Sequence, residues 1–129
     1  MKRLFVIILN FPAAIPGFIG TLLSVPTRVV ISKKPFAVIF YVRSFWWWTW
    51  LPGQKRVRGM TNSWCIQLAT SANDADLAHE LIHVEQAERE PFIFPLSYWL
   101  QTKRYGYRAN KYEVEAYDRS GSKYEGGDE

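Results

Sequence analysis

Acidic residues are absent from the first 73 positions of this 129-residue chain, which carry nine Lys and Arg. All twelve Asp and Glu fall from Asp74 onward, against seven basic residues there. The net charge of +4 therefore conceals a basic, apolar front half joined to an acidic back half. Such asymmetry directs the front half toward an anionic surface, and its dense apolar runs favour lipid over nucleic acid. Cysteine is almost missing: Cys65 stands alone, which excludes a disulfide within the chain and gives no sign of an oxidising compartment. Its place in an apolar run fits a buried thiol better than a nucleophile. Histidine occurs only at positions 79 and 83. What the chain has in quantity is aromatic rings, six Trp, seven Tyr and eight Phe, so its one modest core or some surface is ring-rich.

Leu4–Pro26 runs 23 residues without a charge, a length that suits a membrane-spanning helix. Asn10, Pro12, Pro16, Gly17 and Gly20 interrupt it, and each internal Pro kinks or weakens a helix. Three readings follow: an N-terminal anchor or in-plane membrane segment, a cleaved signal peptide, or a helical hairpin buried or facing an oligomer partner. From Val29 the pattern becomes strand-like, with Val29–Ile31, a turn at Ser32–Pro35 and the β-branched and aromatic run Phe36–Val42. Phe45–Leu51 holds four Trp in five residues before the turn pair Pro52-Gly53. Those rings suit either a sheet buried on both sides or an anchor at the headgroup level. The basic cluster Lys55-Arg56-Val57-Arg58 follows, but no nucleic-acid motif accompanies it, so no nucleic-acid partner is expected. Gly59–Leu68 reads as two short pieces around Thr61-Asn62-Ser63, the second being the strand Trp64–Leu68.

The two histidines belong to His79-Glu80-Leu81-Ile82-His83, an H-E-x-x-H sequence. On a helix, residues four apart lie one above the other, so both imidazoles can share a metal. The Glu after the first His then stands where it can take a proton from a water on that metal. The helix is well delimited: Ser71 or Asn73 can cap it, Asp74 and Asp76 sit in its first turn, and Pro91 stops it near Arg89. At 100° per residue Leu77, Leu81 and Val84 form a core stripe, while His79, His83, Gln86 and Glu90 form a polar stripe nearly opposite, read as the floor of a cleft. A second helix is expected from Pro95 to Lys103, with Phe94, Tyr98 and Trp99 on its apolar side. A third runs from an N-cap at Asn110 to Tyr117 or Arg119, and a frayed polar tail begins at Gly121.

Two His supply two ligands, and a hydrolytic zinc site needs a third. With no other His in the chain and Cys65 on the wrong side of the helix start by pattern, carboxylates remain. Glu113 shares a face of the third helix with Ala116 and Tyr117, and the small Ala116 allows close approach to the motif helix. Glu115 points about 160° away and is the alternative ligand. Glu113 could instead serve as the N3 partner of Asn110 in a capping arrangement.

His79–His83 followed by Asn110-x-x-Glu113-Val114-Glu115-Ala116 resembles the gluzincin pattern of zinc metallopeptidases, H-E-x-x-H and then E-x-E-A. The short chain makes it most similar to the minigluzincins. The resemblance spans about Arg58–Asp118 and leaves residues 1–50 aside. It implies Zn²⁺ held by His79, His83 and Glu113, Glu80 as general base, and an edge strand, here Trp64–Leu68, along which an extended peptide substrate pairs. Related membrane-bound gluzincins often carry Asp four residues after the ligand Glu, where this chain has Tyr117. The support of a ligating His then falls to Asp118 or Gln86. Tyr105, Tyr107 and Tyr112 lie between the two ligand helices and are candidates for holding the developing oxyanion.

The expected fold is α+β and zincin-like: a small mixed sheet from about Val29 to Leu68 packed on the motif helix, then two further helices. Residues 1–28 form the apolar N-terminal segment, 29–119 the metallopeptidase-like domain and 120–129 a flexible tail. The expected activity is metal-assisted peptide hydrolysis, with membrane contact through residues 4–51 and a membrane-associated location; a cytoplasmic location is the alternative. A catalytically silent zinc-binding module of the same fold, serving a membrane or particle assembly, is the second reading. A membrane-surface protein whose motif is accidental is the third.

Overall fold

The computed structural model describes residues 2–47 and 58–122. In chain order the elements are α1 (Lys2–Leu9), α2 (Phe11–Leu23), β1 (Pro26–Lys33), β2 (Phe36–Val42), β3 (Gly59–Asn62), β4 (Cys65–Ala69), α3 (Asp74–Arg89), α4 (Phe94–Tyr105) and α5 (Lys111–Ser120). The fold is a small α+β arrangement around a four-stranded mixed sheet of order β1-β2-β4-β3. β1 and β2 form an antiparallel hairpin, β4 runs parallel to β2 with Val38 opposite Cys65, and β3 pairs antiparallel with β4.

Strand alternation sends successive side chains of β4 to opposite faces, and both faces are covered. Ile66 and Leu68 join Ala37, Ile39 and Val84 in the main core, with Leu77 and Leu81 of α3 packed against it. Cys65 and Gln67 point the other way, toward α2, where Gly17 lies against Asn62 and Cys65, and Gly20 against Gln67. The Phe18 ring meets Phe40 and Trp64 edge-on across the same interface. Helices α2 and α3 thus sandwich the sheet.

The strand expected at Val29–Ile31 begins earlier, at Pro26, so a boundary at residue 28 falls inside β1. Trp64–Leu68 is not the edge strand: β4 lies between β2 and β3, and Gly59–Asn62 takes the edge. The uncharged N-terminal run forms two helices bent by 56° at Asn10, and no single described helix is long and apolar enough to cross a membrane. Pro12 sits in the first turn of α2, where a missing N–H costs nothing, while Pro16 lies inside the helix. Of the aromatic run, Phe45 is buried and Trp46 is partly exposed; Trp48–Leu51, the cluster at Lys55–Val57 and the tail from residue 123 lie outside the described residues.

Candidate metal centre

α3 begins where its caps dictate. Asn73 accepts the Asp76 N–H and Asp76 accepts the Asn73 N–H, a reciprocal box that satisfies two helix-end donors. Arg58 closes on Asp76 at 2.9 Å. The helix ends at Glu90, before Pro91. Its polar stripe does not face solvent: α5 packs along it, and His79, Glu80, His83 and Gln86 are all buried.

Asn110 sets the position of α5. Its Oδ1 accepts the Tyr112 N–H as N-cap, while its Nδ2 donates to Tyr98 O and Thr102 Oγ1 of α4. Glu113, one turn in, is therefore turned to the imidazoles. Glu113 Oε2 lies 3.1 Å from His79 Nε2, Glu113 Oε1 lies 3.1 Å from His83 Nε2, and the two Nε2 atoms stand 3.1 Å apart. One ligand atom from each of the three residues lies within 4.8 Å of the other two, and donors around a tetrahedral zinc are about 3.3 Å from one another. The donor set of two imidazoles and one carboxylate fits such an ion, and the cluster could hold a metal.

Electrostatics agree with that geometry. Burial by itself would raise the Glu113 carboxyl, but the His79 and His83 imidazoles and the Tyr98 hydroxyl outweigh it and hold the group ionised, well below the usual carboxylate range. Burial would lower His83; the Glu113 contact and the charges of Glu113 and Glu80 overcome this and push it up to about 9. A buried carboxylate held ionised between two imidazoles is a setting that favours added positive charge, and a metal ion would compete with the proton for it.

Gln86 fixes one ligand. Its Oε1 lies 2.8 Å from His83 Nδ1, which assigns the proton to Nδ1 and leaves Nε2 as the lone-pair donor. Gln86 Nε2 in turn donates to Tyr112 O and Glu115 Oε1. Glu115 lies outside the cluster and pairs with Arg89 and Arg119. His79 Nδ1 is buried without a hydrogen-bond partner among the described residues, and the Tyr117 ring lies tilted over that imidazole. Asp118 is exposed.

Glu80 stands beside the cluster with its Oε2 accepting the Thr61 hydroxyl at 2.5 Å. Burial raises its carboxyl, with the two imidazoles and Thr61 opposing. Gly59 lies so close that any side chain there would press on the Glu80 carboxylate.

The three candidate tyrosines separate. Tyr105 is exposed under Arg104, and the Tyr112 hydroxyl donates to Glu90, so neither faces the cluster. The Tyr107 phenol is raised by burial and then by the charge of Glu113, and its hydroxyl meets that of Tyr117. The sequence reading missed Tyr98, whose hydroxyl donates to Glu113 Oε1 at 2.6 Å. The sequence pattern puts it on the apolar side of α4, and the one available hint is that a buried phenol needs an acceptor. Thr61 and Gly59 were also missed, because the approach of β3 to α3 is set by strand order. Compared with known proteins, the chain matches no protein-family model, no curated protein and no solved structure.

Proposed function

We propose that this chain is a zinc-dependent metallopeptidase of gluzincin type, with a zincin-like domain. The observation that carries the reading is the buried cluster of His79 Nε2, His83 Nε2 and the Glu113 carboxylate, each imidazole 3.1 Å from one of its oxygens, with a second buried carboxylate, Glu80, beside it. Zinc bound there supplies Lewis acidity and an acidified water. Glu80, its proton affinity raised by burial, would take a proton and return it to the leaving amine. Thr61 holds the Glu80 carboxylate on the β3 side, and Gln86 keeps His83 in the tautomer that presents Nε2. Tyr98 shares a Glu113 oxygen and so sets how that carboxylate is turned. Among the described residues no strand lies beyond β3, so an extended peptide could pair along Gly59–Asn62, directly above Glu80.

The silent zinc-binding module remains as a second reading because of the depth of burial: His79, Glu80, His83 and Glu113 are 2–8 % exposed. Glu80→Gln separates the two. With metal content equal, the native chain cleaves an unstructured protein such as casein and the variant loses about a hundredfold or more, the worth of a positioned general base. Cleavage that is absent from both, or equal in both, sinks the peptidase reading.

A further inference from the structure

α1 and α2 are apolar on the wrong side for a water-facing layer. Against the sheet α2 places small residues, Ala14, Gly17, Gly20 and Thr21, and beneath them lies a polar side chain, Gln67. The Gln67 amide donates to Gly17 O and Thr21 Oγ1. Outward, α2 presents Phe11, Ile15, Ile19 and Leu22, spaced four, four and three apart along one helical face, from 43 % exposed at Ile15 to 77 % at Leu22. α1 adds Leu4, Phe5 and Ile8, each exposed. Surface helices of water-soluble domains carry polar residues there; small residues inward and large apolar ones outward is the distribution of helices surrounded by lipid.

Backbone strain accompanies this face. Val25, which follows α2, and Phe92, whose N–H donates to Asn10 Oδ1 at the α1–α2 bend, have φ of 59° and 68°. Both side chains are exposed. Gly or Asn would hold such turns without strain, so what Val25 and Phe92 contribute is an outward apolar group.

The rim decides what covers the face. Lys2, Arg3, Arg28, Lys33, Lys34 and Arg43 are exposed, and residues 1–73 hold no Asp or Glu. Of these, Arg3 meets Glu88 at 3.8 Å, and a second copy docked face to face would still set a largely basic rim against its like. Anionic headgroups above an apolar interior match both features. Neither helix alone is long enough to span, α2 being about 20 Å long against a 30 Å hydrocarbon core, and the pair is bent by 56° and tied to the rest of the domain. Trp64 Nε1 holds Ile7 O, Asn10 Nδ2 holds Ala87 O and Trp46 Nε1 holds Leu23 O.

We propose that α1 and the outer face of α2 dock in the plane of an anionic phospholipid bilayer. Apolar side chains enter the headgroup boundary and the Lys and Arg rim sits on the headgroups, while α3 lies across the sheet from α2 and meets α1 at its C-terminal end through Ala87 and Glu88. Docking requires nothing of the histidine cluster, so metal-free protein binds as well as loaded protein.

The test is co-sedimentation of the full chain with vesicles of phosphatidylcholine alone and with about 30 % phosphatidylserine. Binding at least tenfold tighter to the anionic vesicles is expected, weakening in 0.5 M salt because exposed charges are screened. Ile19→Glu reduces it at least tenfold with unchanged circular dichroism and melting; Leu22→Glu, at the most exposed position, repeats the effect should Ile19→Glu fold poorly. Lys33→Glu with Lys34→Glu lowers it about twentyfold or more, each basic residue near the surface contributing about fivefold. A native chain that stays in the supernatant, or binds both vesicles equally, overturns the proposal. So does self-association that Ile19→Glu abolishes in a chain that ignores vesicles.

Discussion

A methyl group at position 59 tests the arrangement of base and metal ligands separately. Gly59 has no left-handed φ, so the effect of Gly59→Ala is steric. The new Cβ would stand 2.8 Å from Glu80 Oε1, 3.0 Å from Cγ and 3.1 Å from Cδ, where ordinary contact begins at 3.4 Å. The carboxylate must retreat by about half an ångström, away from β3 and so away from the Thr61 hydroxyl that holds it. A 1 Å misplacement in an active site costs about a hundredfold, so half of that costs about tenfold in kcat/KM. Overpacking removes about 1 kcal/mol of stability, partly offset by the lower chain entropy of Ala in the unfolded state. His79, His83 and Glu113 are not touched, so metal affinity stays within about threefold on an affinity scale where tenfold is 1.4 kcal/mol. The assay pairs kcat/KM on an unstructured protein with metal content of the same sample. Native turnover in the Ala variant, or loss of metal together with turnover, would refute the placement of Glu80 between β3 and the cluster.

Two more outcomes follow from the surrounding network. Gln86→Leu leaves the buried His83 Nδ1 without its acceptor and removes the side-chain donor to Tyr112 O, and metal affinity falls about ten- to a hundredfold in a chelator competition titration; unchanged affinity would mean that the tautomer is fixed otherwise. Glu115 is held down at about 2, because Arg89, Gln86 and Arg119 outweigh the upward push of burial. Its stabilising contribution is therefore complete above about 4.5 and lost as pH falls through about 2. With Arg89 and Arg119 half exposed to solvent, Glu115→Gln costs about 1 kcal/mol at pH 7, and the two unfolding curves converge near pH 2. A difference independent of pH would assign the effect to packing.

Local signals were legible where the chain speaks about itself. Asn73, Asp76 and Pro91 mark both ends of α3, and β-branched density marks Phe36–Val42, because caps and propensities act within a few residues. Helical phase and the small Ala116 favour Glu113 over Glu115, and that phase is what turns Glu113 to the imidazoles and Glu115 to Arg89 and Arg119. Strand order was not legible. β4 joins β2 in parallel across a long connection, so nothing local in Trp64–Leu68 reports that it lies inside the sheet or that Gly59–Asn62 forms the rim over Glu80. Gln67 hid the second buried face of β4, since its partners lie on α2, some 50 residues away. Tyr98 escaped for a related reason: Asn110 of the next helix ties α4 to α5 and brings its phenol to Glu113.

The central claim is that His79, His83 and Glu113 together bind one metal ion. Zinc content of the purified native chain, Glu113→Ala and Glu115→Ala, measured side by side by elemental analysis with folding checked by circular dichroism, tests it most directly. The expected result is one zinc per native chain, loss in Glu113→Ala and retention in Glu115→Ala. A native chain without stoichiometric metal, or a folded Glu113→Ala that keeps its zinc while Glu115→Ala loses it, would contradict the account.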